Sequence, residues 1–284
     1  MSITLFALLS LIWGSTWMAI KIGLEDSPPF WSAGIRFVAA SLIIVIINSI
    51  RRRVYPRDKG EIIKIAFPGV FMYAASYMLV YSAETHIDSS LTAVIFSGFP
   101  IFVALISYFM LREERLSPLG WLGMAIGLIG IVMVSYSSLQ ESQFRFWGVL
   151  MAVLAAVASA YGTVYIRAYL KNHDIFVMAA IQMTVGAILI ILTAMIFEPL
   201  SAFKITAKSV GALAYLALFG TVVAFLGYYW LLQKMRAISV SLISFIIPVI
   251  AILVGHFFLS ETITALVIFG TILILAGVAL VLRG

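Results

Sequence analysis

Ten runs of apolar residues, each about 20 long, fill nearly the whole chain: 3–23, 30–50, 62–82, 89–110, 116–137, 146–168, 175–197, 207–232, 239–259 and 262–282. Their hydrophobicity is unbroken rather than alternating, which predicts helices and argues against strands of a β-barrel. About 20 apolar residues suffice to cross a bilayer as a helix. The polar gaps are short, so consecutive helices are expected to run antiparallel, and no gap has room for a soluble domain. The N-terminal run has no basic residue before it and no small-residue cleavage pattern, so it is read as a retained first span.

Composition supports the membrane class. The chain is 63% hydrophobic and only 11% charged, with mean hydropathy +1.14. A soluble domain carries about 25% charged residues. Hydrocarbon forces every backbone polar group to be paired within the protein, and a helix does this inside one segment. There are no cysteines, which removes disulfide and thiolate chemistry. The net charge of +6 is what lysine and arginine in cytoplasmic loops give, and nucleic acid is not an expected partner. Arg51, Arg52, Arg53, Arg57, Lys59 and Lys64 follow the second run, and Arg112, Arg115, Arg167, Lys171, Lys234, Arg236 and Arg283 fall on the same side. Lys21, Arg145, Lys204 and Lys208 fall on the other. The positive-inside rule then predicts both termini in the cytoplasm.

The chain also repeats itself. Pro100 and Pro248 are 148 positions apart, and Gly123/Gly270 and Gly130/Gly277 are 147 apart. At an offset of 146, the stretch from Phe30 to Arg36 aligns with Phe176 to Gln182, and Lys21 falls on Arg167. Such an echo predicts two units, 1–138 and 139–284, of five spans each. An odd number of spans places the second unit upside down, and inverted repeats around a mid-membrane site are a transporter architecture.

Trp13-Gly14-Ser15-Thr16, Lys21, Arg36, Pro100 and Pro248, with glutamates 113, 114 and 261 leading into glycine-spaced helices, resemble the EamA-type ten-helix carriers of the drug/metabolite transporter superfamily. The resemblance covers essentially the whole chain. It implies a basket of ten helices around a central cavity, with helices one to four and six to nine around it and five and ten outside. It also implies movement of small metabolites, often export of amino acids or related compounds. One departure is that the family's Gly-Glu before the fifth helix appears here as Arg112-Glu113-Glu114.

Candidate site residues follow from polar tips inside apolar runs. Trp13, Trp17 and Lys21 lie on one face of the first helix, with Ser15 beside them, and Tyr73, Tyr77 and Tyr81 lie on one face of the third, with Ser76 and Glu84 alongside. Tyr229 clusters with Tyr228 and Trp230 in the eighth, and Gln182 is mid-span in the seventh. Rings with hydroxyl or N–H tips suit a cavity wall for flat solutes or cations; the same residues near span ends also suit an interfacial belt, which is the preferred reading for Trp31 and Trp230. Arg36 lies about 9 Å into its span. An arginine at a span centre costs about 2.5–3.5 kcal/mol, so it is a candidate functional charge, or else it snorkels or bridges to Glu25 or Glu84. Pro100 and Pro248 are candidate hinges that kink the fourth and ninth helices and free one carbonyl each. Gly123-x-x-x-Gly127 suits close helix packing, as scaffold or as a dimer contact, leaving monomer and homodimer both open.

No acidic residue lies in the middle third of any span, unlike a carboxylate-based cation antiporter, and the buried charge is positive. Solutes with a carboxylate and an apolar or aromatic part are therefore favoured. The chain has no Walker A pattern, so ATP is not the energy source. It has no clustered acids or histidines for a lipid or prenyl enzyme, and His256 with Glu261 gives only an isolated H-x4-E spacing. The expected function is secondary transport of small metabolites, amino acids or aromatic and zwitterionic compounds, out across the inner membrane, with no catalytic residue, cofactor or metal. An integral-membrane enzyme and a passive channel are the alternatives.

Overall fold

A computed structural model describes residues 2–111, 117–139, 143–245, 247–260 and 263–283. Residues 112–116 and Glu261, which entered the charge count and the repeat, lie outside the described residues.

Every regular element among the described residues is helical. In chain order these are α1 (Ser2–Leu24), α2 (Pro29–Ile50), α3 (Lys59–Gly69), a π-helical stretch Val70–Ala75, α4 (Ser76–His86), α5 (Ser89–Phe96), α6 (Phe99–Met110), α7 (Pro118–Leu139) and α8 (Gln143–Tyr169). Then come α9 (Ile175–Phe197), a 3-10 turn Leu200–Ala202, α10 (Ala207–Tyr215), a second π-helical stretch Leu216–Val223, α11 (Ala224–Lys234), α12 (Ala237–Val240), a 3-10 segment Ser241–Phe245, α13 (Ile247–Leu259) and α14 (Ala265–Arg283). Among the described residues, seven helical stretches are long and apolar enough to cross a membrane. Three more apolar helices, 118–133, 247–259 and 265–277, are shorter in their described parts.

Helix ends are closed locally, as backbone groups beside hydrocarbon require. Asp58 and Asp174 cap α3 and α9, and Thr206 with Ser209 forms a capping box on α10. The Glu198 carboxylate, at the end of α9, accepts from the Phe30 and Trp31 amides and so caps α2 from another helix. Lys21 donates to the carbonyls of Glu84 and Ile87 at the end of α4, and Arg167 donates to that of Leu232 near the end of α11. A cation there also complements the negative helix end.

The prolines behave differently from the expected mid-helix kinks. The fourth span divides at Ser97-Gly98 into α5 and α6, and the ninth divides at the 3-10 segment before α13. Pro100 and Pro248 are each the second residue of the new helix. A first-turn N–H has no intrahelical acceptor anyway, so neither proline frees a carbonyl by itself. They restart helices.

The glycine motif is spent inside the chain. α7 packs along α14, and a Cβ on Gly277 would lie 2.5 Å from both Gly123 O and Gly127 N. A Cβ on Gly130 would lie 2.7 Å from Gly270 O. The backbones touch where side chains would keep them apart, so this face is occupied by the chain's own last helix rather than offered to a second copy.

Candidate functional site

A cavity lies where the discontinuous helices meet. Its wall draws Trp13, Thr16, Trp17 and Ile20 from α1, Arg36 from α2, Met72 from the first π stretch and Ser76, Tyr77 and Val80 from α4. Phe96 and Phe99 flank the α5–α6 break, Ser159 comes from α8, Phe225 and Tyr228 from α11, and Ser241 and Ser244 from the 3-10 segment before Pro248. The centres of water-sized molecules have about 70 Å³ to occupy. A water needs about 10–15 Å³ by that measure, so several waters or one small solute fit. Pro100 and Pro248 are buried and absent from the wall; the breaks they enforce put Phe96, Phe99, Ser241 and Ser244 there.

Arg36 is the charge in this wall. It is 1% exposed. Its Nε donates to Thr221 Oγ1 at 2.8 Å, one terminal nitrogen to Tyr81 Oη at 3.3 Å and the other to Gly220 O at 3.2 Å. The guanidinium carbon lies 4.8 Å from the Tyr77 ring centre and 5.4 Å from that of Phe37. The expected bridge to Glu25 or Glu84 is not what holds it. Glu25 pairs with Lys208, and all three direct acceptors of Arg36 are neutral. Snorkelling is excluded by its burial.

The second π stretch makes this possible. A π turn widens the helix and leaves a carbonyl free of the usual i to i+4 bond. Gly220 O accepts from both Arg36 and the Trp13 indole, the latter at 3.3 Å. Thr221 Oγ1 meanwhile donates back to Leu216 O at 2.8 Å. Glycine is needed at 220 because a Cβ there would lie 2.8 Å from Thr16 Cγ2.

Of the predicted residues, Trp13, Trp17, Arg36, Ser76 and Tyr77 share the cavity wall. Trp13 meets Phe225 and Tyr228 edge-on, at 5.5 and 5.2 Å. Trp17 is 7% exposed and tilts against Phe96 at 5.4 Å; its indole N–H has no partner among the described residues. Ser76 donates to Ala155 O. Tyr81 stands behind the wall as a support for Arg36. Tyr73, Tyr229 and Gln182 form a separate buried chain, in which the Tyr73 and Tyr229 hydroxyls lie 2.6 Å apart and Tyr229 donates to Gln182 Oε1. Ser15 bonds the Leu11 and Ile12 carbonyls and the Tyr215 hydroxyl, 2.6 Å away, and takes no part in the wall.

Sequence reasoning missed Thr16, Phe96, Phe99, Ser159, Phe225 and Ser241. A phenylalanine facing lipid, core or cavity has the same neighbours in sequence. Two carried a signal: Thr16 belongs to the Trp13-Gly14-Ser15-Thr16 stretch, and Ser159 aligns with Trp13 at the 146-residue offset. Phe96 and Phe99 stack nearly parallel, 5° apart with centres at 5.9 Å.

The sequence pattern of the EamA-like transporter family matches residues 1–136 and again 146–283. The chain is 29% identical over 272 residues to the uncharacterized transporter YoaV of Bacillus subtilis, covering 95% of this chain and 92% of YoaV. It is 29% identical over 282 residues to the uncharacterized inner membrane transporter YedA of Escherichia coli, covering 96% and 90%. It is 29% identical over 252 residues to protein PagO of Salmonella typhimurium, covering 87% and 82%. One solved crystal structure superposes with a TM-score of 0.74 over 99% of this chain and 96% of the other at 19% identity, a likeness of fold. With nearly its full length matched, the chain belongs to the EamA-like transporter family of the drug/metabolite transporter superfamily and is a multi-pass membrane protein.

Proposed function

We propose that this transporter is a secondary carrier of the inner membrane that exports small carboxylate-bearing metabolites with an apolar or aromatic part, amino acids and related zwitterions among them, by alternating access. The observation that carries this is the cavity itself, with room for a few waters and walled by aromatic rings around one buried arginine. The name of the E. coli relative supports the inner membrane.

Ten spans in two inverted units, 1–138 and 139–284, with both termini cytoplasmic, are part of the proposal. Paired hydrogen bonds support it. Lys21 to Glu84 O and Arg167 to Leu232 O are equivalent at offsets of 146 and 148. The Arg36–Tyr81 bond and the Tyr229–Gln182 bond are equivalent at the same offsets. The π stretches Val70–Ala75 and Leu216–Val223 interrupt matching helices. Two equivalent polar locks in oppositely oriented units stand toward opposite faces of the bilayer, as two gates require. The helix breaks before Pro100 and Pro248 then serve as the hinges. Trp13, Trp17, Arg36, Ser76 and Tyr77 touch the solute, while Tyr73, Tyr81, Gln182 and Tyr229 hold the locks.

Flux into proteoliposomes tests the proposal. Saturable flux that falls at least tenfold in Trp17→Ala and Arg36→Ala, and survives Glu113→Gln, is expected. Non-saturating flux, or flux indifferent to both wall substitutions, refutes it.

A further inference from the structure

We infer that the cavity selects organic monoanions, an apolar or aromatic body with one carboxylate, over the zwitterions and amines of the same shape. The inference rests on the transport reading and narrows its solute class.

The wall is electrostatically one-sided. Among the described residues, Arg36 is the only charged side chain lining the cavity. Its buried guanidinium is held by a hydroxyl of Thr221, the phenol of Tyr81 and the Gly220 carbonyl. A guanidinium has five N–H groups in a fixed fork, and these acceptors, with the nearby Tyr77 hydroxyl, do not use all of them. A buried cation surrounded by neutral acceptors is incompletely compensated, and a carboxylate matches its geometry. Glu84 is buried one turn beyond Tyr81 on α4 and is not in the wall.

A second donor points the same way. The Trp17 indole N–H is buried, lies in the wall and is unpartnered among the described residues. Such a group needs an acceptor when the cavity is dry, and a carboxylate supplies up to four acceptor sites.

An ammonium group meets the opposite situation. No described Asp or Glu faces the cavity, leaving it hydroxyl oxygens and ring faces. The Tyr77 face is already taken by Arg36, and Trp13 packs edge-to-face against Phe225 and Tyr228. An ammonium also brings a like charge close to Arg36 within a small space. The body of the solute, by contrast, is well served by the paired Phe96 and Phe99 rings beside Trp17.

Calorimetric titration of the purified full chain in detergent tests this with three probes of one shape: 3-phenylpropionate, L-phenylalanine and 2-phenylethylamine. 4-Methylpentanoate and L-leucine form an aliphatic pair in case the ring is too large. The carboxylate of each pair is expected to bind at least tenfold more tightly than its amino acid, and the amine to bind more weakly than either. Arg36→Gln, which places at 36 the residue found at the equivalent position 182, is expected to lower carboxylate affinity at least tenfold. Trp17→Phe, which keeps a ring in the core, lowers it severalfold, so the test does not depend on how well Arg36→Gln folds. Equal or tighter binding of the amino acids or the amine overturns the inference and leaves the transport reading standing. Carboxylate affinity indifferent to both substitutions, or no binding by any probe, also overturns it. Failure of the transport reading is separate and appears as absent or non-saturating flux in proteoliposomes.

Discussion

Gly277→Ala adds one methyl group where the α7 and α14 backbones touch. The new Cβ would lie 2.5 Å from Gly123 O, 2.5 Å from Gly127 N and 2.7 Å from Gly127 Cα. All three are backbone atoms, so no side chain can swing aside. Restoring ordinary contact near 3.5 Å requires the helices to part by about 1 Å, a gap that forfeits about a quarter to a half of each dispersion contact. Over a few tens of atom pairs at ~0.1–0.2 kcal/mol each this amounts to about 2 kcal/mol, within the ~1–3 kcal/mol typical of overpacked cores. Gly211→Ala is the internal control. A Cβ at 211 meets nothing within 4 Å, and alanine is favoured over glycine in a helix by about 0.8–1.0 kcal/mol. The same propensity gain applies at Gly277 and leaves a net loss of about 1 kcal/mol, so thermal melting in detergent, followed by intrinsic fluorescence, should show Gly277→Ala lowered by roughly 2–4 °C at about 2–4 °C per kcal/mol, with Gly211→Ala unchanged or raised. If Gly277→Ala melts with the parent, α7 and α14 are not in backbone contact and the glycine face returns to being a candidate dimer surface.

Two further substitutions probe other parts of the fold. Tyr229→Phe removes the hydroxyl between Tyr73 and Gln182, leaving two buried polar groups short of a partner; a loss of about 1–3 kcal/mol is expected and would be read as a lower melting temperature, whereas an unchanged one would mean the lock does not form. Arg52 ends α2 in the left-handed region at φ 49°, within a Schellman turn closed by Arg53 N to Asn48 O and Arg52 N to Ser49 O. That conformation costs an L-residue about 1–2 kcal/mol, partly offset by the greater entropy glycine loses on folding, so Arg52→Gly should raise the melting temperature slightly; a fall would show that the arginine side chain outweighs the backbone strain.

Fold class was legible in the sequence because the bilayer leaves so few options. Unbroken apolar runs of about 20 residues are helices for lack of any other way to satisfy their backbone, and the positions of Arg36, Pro100 and Pro248 inside them marked where the regular pattern was under load. The expected span limits fall within a few residues of the observed helices wherever a cap or a charged gap bounded them, as at Pro29–Ile50 and Ile175–Phe197. Trp13, Trp17, Arg36, Ser76 and Tyr77 were recoverable because a polar tip in an apolar run needs a reason.

Tertiary structure alone decided the rest. The π stretches have no signature in composition; in the second, residues far away in sequence, Arg36 and Trp13, bind the Gly220 carbonyl. Tyr73 and Tyr77, four residues apart, went to different tasks because the π turn between them shifts the helix face. Ser15 and Tyr229 lie outside the cavity wall, where neighbouring helices supply Tyr215 and Gln182 as their partners. Hydropathy along a chain records which residues avoid water, and it carries no record of which of them face lipid, which face another helix and which face the space a solute would fill.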